Sequence, residues 1–144
     1  MVRSHFISAR AASRLMINRH SGVIILVTGS PARAYVQGTT AIGVAFSAIE
    51  NLTQNLASEI SLLGVRVVCL GTMANADSRS IQDTIDFLAD KLNLTEDQAM
   101  TQIARSNFQK ATAKILPAAR LIASDRGRML TGTVVDATAG AAPD

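Results

Sequence analysis

The sequence predicts an α/β fold of about three parallel strands flanked by helices, and three observations carry that prediction. Two short β-branched runs, "VIILVT" (Val23–Thr28) and "VRVVCL" (Val65–Leu70), are each bounded by turn residues and read as buried strands. Between them Ile42, Phe46, Ile49, Leu52, Leu56, Ile60 and Leu63 recur every three or four positions, the period of a one-sided helix. The composition, 48% hydrophobic and 3% aromatic with no Trp, suits helices packed on a buried parallel sheet. At 144 residues the chain has the length of one domain, read here as a single unit over 1–140 with a flexible tail at 141–144.

Taken in order, Ser4–Asn18 spaces Phe6, Ala9, Leu15 and Met16 among arginines as a helix would, and Ser21-Gly22 ends it. The first strand follows, then the turn Gly29-Ser30-Pro31, then the long helix from about Thr39 to Leu63, stopped by Gly64. Strand, helix and strand at this spacing predict a parallel crossover. "GTMANADS" has turn chemistry. Ser80–Leu92 and Thr95–Ser106 read as helices, the second opened by a Thr95-Glu96-Asp97-Gln98 capping box. Thr112–Ala123 is a further helix in which Pro117 demands a kink or a start near Leu116. "MLTGTVVDA" closes the fold as a strand entered at Gly132.

Several function classes are excluded by composition. Cys69, the one cysteine, cannot form an internal disulfide, sits in an apolar run as an inert core thiol, and points to a reducing, cytoplasmic setting. No apolar run is long enough to span a bilayer, so no membrane partner is expected. His5 and His20 are too isolated for a metal site, and Asp83, Asp86 and Asp90 at helical spacing read as a solvated face. The formal charge of +3 is unevenly spread: the first 49 residues hold Arg3, Arg10, Arg14, Arg19 and Arg33 with no acid before Glu50. A mitochondrial presequence has this composition, but the segment runs unbroken into a strand and reads as an ordinary helix with solvated arginines. Nucleic acid is not expected, because no aromatics interleave the arginines and no binding motif accompanies them.

"GVIILVTGS", "AIENLTQNLASEI", "GVRVVCL", "LIASD" and "LTGTVVDATAG" resemble, in order and spacing, successive signatures of the short-chain dehydrogenase/reductase (SDR) family, covering almost all of Met1–Gly140. The resemblance implies a partial Rossmann-type sheet and the carboxyl-terminal half of a divergent, N-terminally truncated member. In that family a Tyr acts as general acid/base, a Lys four residues later lowers its pKa, a Ser orients substrate and an Asn supports a water chain. The Lys is needed because a free phenol titrates near pH 10 and exchanges protons poorly at neutrality.

Here the Tyr position falls on Ile42, the Lys position on Phe46, the Ser position on Gly29 and the Asn position at or just before Met1. Ser30, beside Gly29, and Tyr35, the one tyrosine, remain weak catalytic candidates; the first lysine is Lys91, so no Tyr-x-x-x-Lys pair exists. The family's Pro-Gly beside the nicotinamide maps onto Thr72-Met73, and its glycine-rich phosphate turn belongs to a strand before Met1. The expectation is a non-catalytic scaffold or oligomerisation module that binds no cofactor or metal alone. The alternative is an oxidoreductase that uses NAD or NADP once completed by another chain. Its partners would be further copies of itself, through the first two helices, or a complementing Rossmann half.

Overall fold

A computed structural model describes residues 1–34, 39–72, 79–99, 101 and 115–138. Three parallel strands, β1 (Gly22–Gly29), β2 (Val65–Thr72) and β3 (Val134–Asp136), form one sheet in the order β1-β2-β3. The helices are α1 (Val2–Ile17), α2 (Thr40–Ile60), α3 (Arg79–Leu92) and α4 (Ile115–Ala123). Strand β2 is central, paired with β1 from Gly22↔Val65 to Gly29↔Thr72 and with β3 from Cys69↔Val134 to Gly71↔Asp136.

A central parallel strand is covered on both faces, which is why β2 reads as a continuous apolar run. Ile24, Leu26, Val65, Val67 and Cys69 face one way, packed with Ala9 of α1 and Ile49, Ala57 and Ile60 of α2. Val68 and Leu70 face the other way, against Ile122, Ala118 and Ala119 of α4. Strand β1 departs from the predicted full burial: Val27 is 42% exposed, because nothing among the described residues covers that face at its carboxyl end. The last strand is also shorter than predicted. Residues 129–133 are not strand, and pairing begins where the Thr133 carbonyl accepts the Cys69 N–H (2.9 Å).

Local chemistry sets the boundaries. Gly64 adopts φ +82° at the end of α2, and a Cβ there would collide with the His20 carbonyl, so only glycine allows the two turns leading into β1 and β2 to touch. The capping box forms: the Thr95 N–H donates to Gln98 Oε1 (3.0 Å) and the Gln98 N–H to Thr95 Oγ1 (3.3 Å). Residues 96–99 are helical, and the remainder of the expected helix, apart from 101, lies outside the described residues. So do 111–114 and the tail 141–144. Helix α4 is described from Ile115 to Ala123 and includes Pro117.

Arg66 ties the end of α4 to the sheet. Its Nη1 donates to the Gly127 (2.7 Å) and Leu130 (3.3 Å) carbonyls and its Nη2 to those of Ile122 (2.9 Å) and Ser124 (3.5 Å). These include carbonyls that the last turn of a helix leaves without partners. Arg66→Met should therefore lower the free energy of unfolding by about 2 kcal/mol. Arg66→Lys, a point charge without the planar fork, should recover only part of it, as urea titration of the three proteins would show.

Candidate functional site

The carboxyl ends of the three strands form a shallow cleft lined by Thr28, Gly29, Ser30, Arg33, Glu50, Gly71, Thr72, Val134, Asp136 and Thr138. Ligands of open parallel sheets gather at this end, where successive connections diverge. The described residues enclose about 20 Å³ there, room for about one water.

Its walls are polar groups that hold one another. Thr72 Oγ1 donates to the Thr28 carbonyl (3.0 Å), linking β2 to β1. Thr28 Oγ1 donates to the Phe46 carbonyl (3.3 Å), and Ser47 Oγ to the Ala32 carbonyl (3.1 Å), so α2 is fixed to β1 and to the short turn after it. Asp136 Oδ1 accepts the Thr138 N–H (2.7 Å). Arg33 Nε meets Glu50 Oε2 at 3.2 Å across the mouth, the one ion pair among the described residues. Sequence reading missed that pair. Its signal was that Glu50 is the first acid after five arginines.

Of the residues singled out in the sequence, Ser30 and Thr72 are buried and line the cleft together, whereas Tyr35 and Met73 lie outside the described residues. Ile42 and Phe46 are half-buried on α2, and Phe46 packs against the core shared by α1, α2 and the sheet. The Phe46 ring also lies over Gly29: a Cβ built on Gly29 would stand 2.7 Å from Phe46 Cε2 and 3.0 Å from Cζ. The missing side chain at 29 is the space that the ring uses. Among the described residues no group of His, Cys, Asp or Glu could hold a metal ion.

Cys69 lies behind this surface with none of its area exposed. Burial pushes its thiol up from 9.0 to about 11, against a smaller opposing effect of the Thr53 hydroxyl. The thiol is neutral in the fold and inert toward disulfide reagents until the chain opens.

Parallel strands joined by a crossover helix, covered on both faces and carrying a polar cleft at their carboxyl ends, define a Rossmann-type α/β protein. The family model described as enoyl-(acyl carrier protein) reductase matches residues 1–142, and the chain belongs to the short-chain dehydrogenase/reductase family. It is 26% identical over 141 residues to short chain aldehyde dehydrogenase 1 of Euphorbia lathyris, covering 88% of this chain and 45% of that protein. It is 28% identical over 144 residues to (+)-borneol dehydrogenase 2 of Salvia officinalis, covering 91% and 47%. The chain thus spans about half the length of the curated relatives it matches. Among solved structures, sorbitol-6-phosphate 2-dehydrogenase SrlD from Erwinia amylovora shares the fold with a TM-score of 0.84 at 23% identity, over 97% of this chain and 56% of that one. A gluconate 5-dehydrogenase from Burkholderia cenocepacia J2315, solved with NADP and tartrate, aligns with a TM-score of 0.67 at 17% identity, over 92% and 49%.

Two measurements check this geometry. Gly29→Ser should destabilise the fold by about 1–3 kcal/mol through overpacking against Phe46, and Phe46→Leu in the same chain should return part of that loss. Equal costs of Gly29→Ser with and without Phe46→Leu would show that the ring does not occupy the space. For Cys69 the unfolded thiol ionises first, so stability is full below about pH 9 and declines toward pH 11. A Cys69→Ser chain should lack that component when the two are unfolded in parallel across this window.

Proposed function

We propose that this chain is a non-catalytic SDR scaffold that acts by associating with other chains and does not itself transfer hydride. The observation that carries this reading is the packing of Phe46 on Gly29. If Gly29 and Phe46 occupy the positions that the family gives to its Ser and Lys, a substrate-orienting hydroxyl and an ammonium have been replaced by one hydrocarbon contact. Ile42, at the Tyr position, offers no proton to exchange.

The reading is supported also at the place of the family's Pro, where Thr72 donates its hydroxyl to the Thr28 carbonyl within the shallow cleft. Association is supported by the large apolar side chains that α1, α2 and the turn after α2 leave exposed, among them Phe6, Ile7, Leu15, Val44 and Leu62. It is supported also by the edge of β1 away from β2, which pairs with no strand among the described residues. The partners are further copies of the chain or a complementing Rossmann half, and a reducing, cytoplasmic setting suits the free Cys69. No described helix is long and apolar enough to cross a membrane.

A second reading has its own support: an NAD(P)-dependent oxidoreductase whose site is completed by another stretch of protein. The polar cleft persists at the strand ends, and a gluconate 5-dehydrogenase of the same fold holds NADP. Calorimetry with NADH and NADPH at millimolar concentration, with the mass in solution recorded alongside, separates the two. The scaffold reading expects a folded chain with no saturable binding; saturable binding would overturn it.

A further inference from the structure

The end of the sheet away from the cleft is built from three turns, 18–21 before β1, 61–64 before β2 and 124–133 before β3. They form one surface. Gly64 lies against the His20 carbonyl, Ser61 Oγ and Thr131 Oγ1 stand 3.3 Å apart, and Arg66 holds the Ser124, Gly127 and Leu130 carbonyls of the third turn. From this surface Leu62 projects with 97% of its area exposed and Met129 with 86%, and Leu63 beside Leu62 is exposed as well. Large apolar side chains grouped in water mark interaction sites. Around them stand Arg19, Arg126 and Arg128 on the turns, with Arg14 and Arg120 in the last turns of α1 and α4. All five arginines are exposed, and the described carboxylates at this end are Glu59 and Asp125, so the balance is positive.

We propose that this end of the sheet docks on a lipid surface carrying anionic headgroups. Charge selects that occupant: arginines near an anionic bilayer are attracted to it, and a planar guanidinium takes phosphate oxygens two bonds at a time. Leu62, Leu63 and Met129 then enter the boundary between headgroups and acyl chains. Fluid acyl chains adapt to single side chains that project from turns, whereas a protein partner needs a shaped and densely packed complement. Backbone brought to that depth must already be hydrogen-bonded. These turns meet the requirement at several carbonyls: those of Met16 and Ile17 accept the Arg19 and His20 N–H groups (3.0 Å each), that of Ser61 accepts the Gly64 N–H (3.1 Å) and that of Gly127 the Leu130 N–H (2.9 Å).

The contact lies on the membrane and needs no helix that crosses it. A nucleic acid is a poorer match, because it would pair with the arginines and leave Leu62 and Met129 in water, and the three turns hold no Phe, Tyr or Trp on which a base could stack.

The test is co-flotation of the full 144-residue chain with vesicles of phosphatidylcholine alone and of phosphatidylcholine with about one-third phosphatidylserine. The chain should float with the anionic vesicles and stay behind with the neutral ones, and its partitioning should fall at least about tenfold between low and high salt. Arg126→Gln with Arg128→Gln, and Leu62→Ser with Met129→Ser, should each lower partitioning at least about tenfold. All four side chains are exposed, and circular dichroism checks that each variant is folded. Arg3→Gln with Arg10→Gln removes the same charge from α1 farther from this end and should leave partitioning close to that of the unaltered chain. A folded chain that floats with neither vesicle would overturn the docking, as would equal losses from the two arginine pairs or no loss from the Leu62 and Met129 changes. Binding to duplex DNA that is lost with Arg126 and Arg128, without flotation, would overturn it in favour of an anionic polymer.

Discussion

The fold depends on β2 having a partner on each side and a helical layer on each face. Val65, Val67, Val68 and Cys69 have no exposed area, and every residue of the strand except Arg66 is buried. Parallel pairing cannot be closed by a hairpin, so burying β2 requires the whole of α2 as a crossover, and α2 must present an apolar stripe of matching length. Ile49, Thr53, Ala57 and Ile60 are that stripe, and Thr53 satisfies its hydroxyl by donating to the Ile49 carbonyl (2.9 Å) within the helix. On the opposite face the cover is α4, nine residues long, and its end depends on Arg66. The one residue of β2 that is not buried thus secures the layer that buries two of the others, Val68 and Leu70.

Local elements were legible because their signals are local. Short β-branched runs between turn residues found β1 and β2 to within two residues, and the apolar period of α2, the stop at Gly64 and the Thr95–Gln98 cap each depend on neighbours in sequence. What escaped depends on distance along the chain. Arg66 reads as one charge in a strand, and nothing near it announces carbonyls 56 to 64 residues away. The exposure of Val27 follows from what does not cover it, which no run of β-branched residues records. The shortness of β3 follows from the stretch 129–133, where Thr131 Oγ1 accepts the Val67 N–H and Arg66 donates to the Leu130 carbonyl, so these two backbone groups do not pair with each other as a longer ladder would have them do.

The candidate site was legible as a place and not as a set of contacts. Ser30 and Thr72 were expected at the strand ends and line one cleft, but the relation of Phe46 to Gly29 could not be read from their types, since a phenylalanine on an apolar stripe is ordinary core. Only the placement of the ring over the glycine shows that the two residues depend on each other. Tight packing explains why: an interior at close-packed density absorbs an extra side chain only by moving another.

The same density bears on chemistry at the strand ends. A general acid or base must be free to exchange a proton with something outside the protein, within hydrogen-bond reach of it. In this cleft the Thr28 and Thr72 hydroxyls are donated to backbone carbonyls, Glu50 faces Arg33, and Asp136 holds the Thr138 N–H. Two of these contacts join elements that the sheet alone leaves separate, β1 to α2 and the turn after β1 to α2, while Thr72 reinforces the pairing of β2 with β1 and Asp136 closes a local turn. Freeing the Thr28 hydroxyl or the Arg33–Glu50 pair would loosen the joint it makes, so part of the polarity of the cleft serves architecture. A scaffold can accept that arrangement, whereas an enzyme would need its reacting groups supplied from residues beyond these.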